Sequence, residues 1–344
     1  MSFSLFKQKG VRTPEDIVRH VRDALRASVE HHDQSSEAET KLRYEKACES
    51  LEVLKAALGS DSSVEGAPDA VAEAACREAV PEALIAALPG LDFQGRKLAA
   101  AVFAGLLRQP APPVYLEQHP LLMDQLIAGY AQPPIALFCG SMLRDCARHA
   151  GVTREVLSLP SFFRFFEYAQ APSFEVSCDA FTTFKELLTR HPDVTTPFLV
   201  AHYTQFFEQY RGLLTSDNYV TKRQSLKFLG ELLLARAHVA VLVRYIADVH
   251  NLRLLMLLLK DPSKSIQFEA FHVFKVFVAA PHKEPPVLAL LCKNKARLLT
   301  YLHDFQNDKE DEQFEEEKAL LVKEVQQLPE PGPKITNERN AAVD

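Results

Sequence analysis

Hydrophobic positions recur at helical spacing along nearly the whole chain, and the alternation that a strand needs is hard to find. The densest stretch runs from Asn218 to Ala279. It reads NYVTKRQSLKFLGELLLAR over 218–236 and NLRLLMLLLKDPSKSIQFEAFHVFKVFVA over 251–279, with a connecting helix between them. In its last part Ile266, Phe268, Phe271, Phe274 and Phe277 crowd nearly every side. Glu269, His272 and Lys275, three residues apart, are left as one narrow wet strip. A helix this apolar has to be packed between other helices. The pattern therefore predicts a stack of helices rather than a compact catalytic domain.

The same reading predicts helices over 13–32, 37–58, 68–79, 81–88, 92–108, 116–129, 133–149, 160–169, 173–190, 194–213, 217–236, 239–247, 251–260, 263–279 and 285–303. A further helical stretch, EKALLVKEVQQL, covers 317–328. Thr13-Pro14-Glu15-Asp16 is a helix start: Thr13 can cap, Pro14 fits the first position and Asp16 completes a capping-box-like arrangement. The Gly-, Ser- and Asp-rich piece 59–67 reads as a loop. Residues 1–12 are expected to be a flexible N-terminus, 13–327 one helical-repeat domain, and 328–344, with Pro329, Pro331 and Pro333, a disordered tail.

A rhythm runs through these helices. Similar apolar-then-arginine endings fall at Leu107-Arg108, Ala147-Arg148, Thr189-Arg190 and Ala235-Arg236, at intervals of 40, 42 and 46 residues. Leu143-Arg144, Phe184-Lys185, Leu226-Lys227 and Phe271-His272 each set an apolar residue before a basic one, at steps of 41, 42 and 45. A period of about 40–47 residues is that of armadillo and HEAT arrays. The expected fold is thus all-α, an armadillo/HEAT-like helical-repeat solenoid, elongated and curved. Equivalent basic residues would form a ladder along one face, although any solenoid helix has a solvated strip that Lys or Arg commonly fills.

Composition narrows the function. Across 344 residues, 47% apolar and 24% charged content is ordinary for a globular protein, and glycine is scarce at 12. A formal net charge of −6 argues against a general nucleic-acid binder, which needs a basic footprint. Six cysteines, at 48, 76, 139, 146, 178 and 292, include no Cys-x-x-Cys pair and read as reduced core thiols of a cytoplasmic protein. No signal peptide or membrane-length apolar run is seen, and the Met-Ser start does not suit myristoylation. Phosphate-loop, dinucleotide-binding, zinc-protease and nucleophile-elbow motifs are all missing. His31-His32, being adjacent, point to different sides of a helix. Residues 304–317 carry eight acids against one lysine. Within them Asp304–Glu315 has the length of a calcium loop, but Lys309 stands where the turn needs glycine and Gln306 occupies the third position. No metal, no cofactor and no enzymatic activity are expected.

The strings NYVTKRQSLKFLGELLL, IQFEAFHVFKVFVA, DAFTTFKELLTRH (179–191), CGSMLRDCARH (139–149), LLCKNKARLL (290–299) and PEDIV (14–18) closely resemble the calcium-binding protein 39, or Mo-twenty-five, scaffold family. The resemblance spans nearly the whole chain, is strongest over 173–327 and departs most over 59–90. It implies an armadillo-like scaffold without enzymatic activity. Such a scaffold would bind the STRAD pseudokinase, completing a complex with the kinase LKB, or stimulate Ste-twenty-type germinal-centre kinases. It also implies a site for a C-terminal Trp-Glu-Phe peptide and a concave face for the kinase domain. By motif the peptide site falls on Arg223, Lys227, Met256 and Lys293, and the residues agree physically. Arg223, Lys227 and Glu231 share one strip at i, i+4, i+8. Met256 shares a helical face with Arg253 and Lys260, forming an adaptable patch between cations. The ladder Arg144, Lys185, Lys227, His272 and Lys275 is the expected kinase-binding face. The competing reading is a generic armadillo adaptor in polarity and morphogenesis signalling that keeps the fold but takes a different partner peptide.

Overall fold

The computed structural model describes residues 13–29, 37–59, 68–307 and 311–330. The 1–12 segment, His31-His32, most of the 59–67 loop and the tail beyond 330 lie outside the described residues, so those expectations rest on sequence. The chain divides into two compact units, 1–213 and 214–344.

Among the described residues the first unit is built from α1 (Pro14–Val29), α2 (Glu37–Ala57), α3 (Pro68–Arg77), α4 (Val80–Ala87), α5 (Phe93–Leu106), α6 (Ala111–Gln118), α7 (Leu121–Gly129), α8 (Pro133–Cys146), α9 (Ala150–Ser158), α10 (Phe165–Tyr168), α11 (Phe174–Thr189), α12 (Pro192–Ala201) and α13 (Tyr203–Leu214). A 3₁₀ turn, Pro160–Arg164, leads into α10. Packing follows a rule of three. Helix α2 packs on α5, α5 on α8 and α8 on α11, while α3 packs on α6, α6 on α9 and α9 on α12. Helix α1 packs on α4, α4 on α7, and α7 on the 3₁₀ turn. Each helix thus meets the equivalent helix of the next repeat, the build of a three-helix armadillo-type array. Its densest interior is aromatic: Phe162 lies 5.2 Å from Phe198, and Phe166 lies 5.1 Å from Phe184 and 5.4 Å from Phe206, centroid to centroid. Truncating one such buried ring costs about 3–5 kcal/mol.

The second unit holds α14 (Tyr219–Leu234), α15 (Val239–Ala247), α16 (Val249–Leu258), α17 (Lys264–Ala279), α18 (Pro285–Asp304) and α19 (Glu312–Gln327). Here α14 packs on α17, α16 on α17 and α18, and α19 on α17 and α18. Its aromatic core gathers Phe271, Phe305 and Phe314, with Phe271 5.1 Å from Phe314 and 5.5 Å from Phe305.

Local chemistry explains where these helices begin. Thr13 accepts from the Asp16 amide at 3.2 Å, as its sequence implies. Asp92, Ser173, Asn218, Ser263 and Asp311 cap α5, α11, α14, α17 and α19 in the same manner. The expected spans differ in several places: 116–129 is two helices, α6 and α7, parted at His119 and Pro120, and the stretch expected over 317–328 starts at Glu312. Helix α6 starts at Ala111, ahead of the expected start at 116, because prolines in a first turn give up amides the helix does not use. Helix α9 was not expected; its Val152, Thr153, Val156 and Leu157 are buried between α6 and α12, so packing overrides its weak propensity. The span 194–213 is two helices, broken at His202.

Candidate functional site

Helices α16 and α18 pack side by side and leave a narrow groove lined by Met256, Leu259, Lys260, Asn294, Arg297, Leu298 and Tyr301. The spacing Asn294, Arg297, Leu298, Tyr301 puts four side chains on one stripe of α18. Met256 of α16, with Leu259 and Lys260 in the turn just past its end, supplies the facing side. Met256 is half-buried, so it borders the groove instead of filling the core, and neighbouring Leu257 is 69% exposed. Tyr301 fixes the far wall by donating its hydroxyl to the Leu259 carbonyl. Burial pushes that phenol well above the ordinary tyrosine value, which keeps the donor in place. Asn294 is held by donating to the Leu290 carbonyl at 2.8 Å.

Of the residues expected to bind a partner peptide, Met256 and Lys260 come together in this groove. Arg253 and Lys293 are exposed on the same two helices, one turn before Met256 and Arg297 respectively, outside the lining. Arg223 and Lys227 are exposed on α14 and do not line the groove. The Arg223 guanidinium stands 3.8 Å from the Glu269 carboxylate of α17, an ion pair too long for a hydrogen bond. Leu259, Asn294, Arg297, Leu298 and Tyr301 escaped the sequence reading. The stripe on α18 was the available signal, but which stripe faces α16 is a tertiary fact.

The polar strip of α17 is less wet than its sequence suggests. The Glu269 side chain is only 12% exposed. Lys275 donates to Glu317 of α19 at 2.6 Å, and His272 Nδ1 lies 3.5 Å from the same carboxylate. Burial works to raise the Glu317 carboxyl, and the Lys275 bond, aided by Gln313 and by His272, outweighs it and holds it below its ordinary value.

In the first unit Arg144 and Lys185 are half-buried on α8 and α11. Arg144 belongs to a closed hydrogen-bond circuit. Its guanidinium donates to Asp179 at 2.9 Å and to the Thr183 hydroxyl at 2.7 Å. Tyr130 donates to Asp179 at 2.7 Å and therefore accepts from Thr183 at 2.8 Å. Burial, then the Asp179 charge, pushes the Tyr130 phenol far up, so it remains a donor. The circuit closes against bare backbone: a β-carbon on Gly140 would lie 1.9 Å from Asp179 Oδ2 and 2.2 Å from the Tyr130 hydroxyl oxygen.

The described ends of the acidic segment have structural employment. Asp304 ends α18, Asp311 caps α19 by accepting from Phe314 N at 3.1 Å, and Glu315 pairs with Lys318 at 2.8 Å. Residues 308–310 lie outside the described residues. Among the described residues no three His, Cys, Asp or Glu side chains gather as a metal site, and no helix is long and apolar enough to cross a membrane.

The three-helix repeat array of the first unit and the cation-edged groove of the second are each features of a helical-repeat scaffold protein. The model of the Mo25-like family matches residues 4–329, and the chain belongs to that family. It is 48% identical over 287 residues to the degreening-related gene dee76 protein of Auxenochlorella protothecoides, covering 81% of this chain and 89% of that one. It is 41% identical over 334 residues to the human calcium-binding protein 39-like protein, covering 94% and 98%. It is 40% identical over 337 residues to the Mo25-like protein of Schizosaccharomyces pombe, covering 95% and 100%.

Proposed function

We propose that the protein is a non-catalytic cytoplasmic scaffold that binds and allosterically activates a protein kinase, either a STRAD-like pseudokinase with its LKB-type partner or a Ste-twenty-type germinal-centre kinase. One observation carries this reading: Met256 is half-buried in a groove whose edges bear Lys260 and Arg297. A C-terminal Trp-Glu-Phe peptide has the matching chemistry. Its rings suit Met256, Leu259 and Leu298, since a thioether adapts to aromatic surfaces. Its glutamate and terminal carboxylate suit Lys260 and Arg297, with charge-assisted hydrogen bonds to the guanidinium. Arg253, Lys293, Arg223 and Lys227 add positive charge that steers an acidic tail. The rings supply most of the affinity, about 2–4 kcal/mol each on truncation.

The kinase domain is then engaged by Arg144, Lys185, Lys227, His272 and Lys275. Arg144 and Lys275 already hold Asp179 and Glu317, so at those positions the kinase meets oriented ion pairs instead of free cations. Activation follows from binding the active-like kinase conformation more tightly than the inactive one. A preference of about 1–3 kcal/mol raises its population 5- to 150-fold at low starting occupancy.

The test is a kinase assay titrated with the purified protein. Wild type is expected to raise the rate to a plateau. Met256→Ala should need a higher concentration for the same plateau, because the groove tethers; Lys185→Glu should lower the plateau. Peptide binding without any change in kinase rate would favour the adaptor reading instead.

A further inference from the structure

A second concavity, of ≈ 490 Å³, opens where α17 begins and α18 ends. Lys264 and Gln267 line it from α17, Tyr301 and Asp304 from α18, and Gln306 and Asn307 from the turn that follows. Tyr301 belongs to both grooves, so one ring is the wall between them. A chain lying over Met256 and running toward the end of α18 meets this hollow across Tyr301.

Hydrogen-bond accounting shows what the hollow wants. Gln267 Nε2 donates to the Asp261 carbonyl at 2.8 Å, Gln306 Nε2 to the Lys264 carbonyl at 2.7 Å, and Asn307 Nδ2 to the His303 carbonyl at 2.9 Å. Backbone carbonyls only accept, so each amide must turn its NH₂ toward the protein. The Asn307 oxygen is used by Lys318 at 2.8 Å. The Gln267 and Gln306 oxygens have no hydrogen-bond partner among the described residues. Asp304 adds a carboxylate, one oxygen of which meets His303 Nδ1 at 2.8 Å. The lining therefore offers acceptors, with the Lys264 ammonium as its cation and Asp304 balancing that charge.

The turn that carries Gln306 is strained. Its φ is +46°, left-handed space that costs a non-glycine residue about 1–2 kcal/mol. Such strain persists where surrounding contacts over-determine it, commonly at ligand sites. Here the bond from Gln306 to the Lys264 carbonyl holds the turn and fixes which way the amide oxygen faces.

We propose that this hollow is a subsite for a side-chain N–H donor, an arginine or lysine, of the same peptide that occupies the Met256 groove. The proposal rests on the peptide-binding reading above and adds a specificity element to it: the partner tail carries a cation set apart from its aromatic-acidic end. Amide oxygens with a carboxylate are the acceptor set a guanidinium satisfies best.

The test uses the full chain and peptides ending in Trp-Glu-Phe, with one arginine walked through the preceding positions. One position is expected to tighten binding about 5- to 10-fold, the scale of one net hydrogen bond at a largely exposed carboxylate. That gain should fall below about twofold in Asp304→Asn and Gln306→Gly, which leave the arginine-free peptide unaffected. A gain at no position, or one that survives both variants, overturns the subsite. A second arm does without the aromatic end. N-acetyl-arginine methylamide at millimolar concentration should shift the Tyr301 and Gln306 side-chain resonances in wild type and in Met256→Ala, but not in Asp304→Asn. Its failure to do so sinks the subsite even if the aromatic peptide binds; its success supports the subsite even if that peptide does not.

Discussion

Gly140→Ala is the sharpest test of how α7, α8 and α11 are joined. The added methyl would lie 1.9 Å from Asp179 Oδ2, 2.2 Å from the Tyr130 hydroxyl oxygen and 3.0 Å from Asp179 Cγ. Ordinary contact needs roughly 3.4 Å or more, so the carboxylate must retreat by over an ångström. That breaks the 2.7 Å bond from Tyr130 and pulls on the 2.9 Å pair with Arg144. Losing a hydrogen bond to a charged group costs about 1.5–3 kcal/mol, and a buried hydroxyl left short of a partner about 1–3 kcal/mol more. The helical gain of alanine over glycine returns about 1 kcal/mol. The net loss is about 1.5–5 kcal/mol. Gly212, in α13, is the control: a β-carbon there meets no heavy atom within 4 Å, so Gly212→Ala should gain up to about 1 kcal/mol. Urea unfolding followed by circular dichroism measures both. Adding Asp179→Ala to Gly140→Ala should cost less than Asp179→Ala does alone, since the nearest clash is then relieved and only the Tyr130 hydroxyl must still give way. A Gly140→Ala protein as stable as Gly212→Ala would refute the reasoning.

Three other outcomes follow. Arg223→Ala should leave stability within about 1 kcal/mol of wild type, because a long, half-exposed ion pair contributes little, while weakening partner binding measured by titration. Glu317→Gln tests the tie between α17 and α19. The carboxyl is depressed below its ordinary 4.5, so its stabilisation is present above that pH and is lost as pH falls through the lower folded-state value. The melting-temperature gap between wild type and variant should be constant near neutrality and close in acid; a gap that widens on acidification contradicts the assignment. Thiol labelling should spare Cys139 and Cys146 in the native protein, since burial pushes Cys139 up to about 12 and Cys146 higher still, and both should react once urea unfolds the chain.

Much of the architecture is legible in the sequence because repeats write themselves at a fixed interval. Leu143, Phe184, Leu226 and Phe271 fall on α8, α11, α14 and α17 and are fully buried, and the caps Ser173, Asn218 and Ser263 set the helix starts. What stayed hidden depends on neighbours. Helix α9 has no strong propensity and exists because α6 and α12 bury its valines. The strip Glu269–His272–Lys275 reads as solvated because nothing in its own segment announces Glu317, which arrives from another helix. The site is half legible for the same reason. Met256 stands out as a methionine between cations, but Asn294, Arg297 and Tyr301 become groove residues only when α18 is laid beside α16. Arg144 reads as a free cation until Asp179, Tyr130 and Thr183 close around it.

The central claim is that the groove between α16 and α18 reads an aromatic, acidic peptide end. This chain contains no tryptophan, so the indole of a peptide ending in Trp-Glu-Phe reports its own burial without a label. Titrating the protein into that peptide should shift the emission to the blue and saturate at micromolar concentration, about −8 kcal/mol. Met256→Ala should weaken the transition at least about tenfold, with Gly212→Ala unchanged. No shift with wild type, or equal affinity in Met256→Ala, would contradict the account.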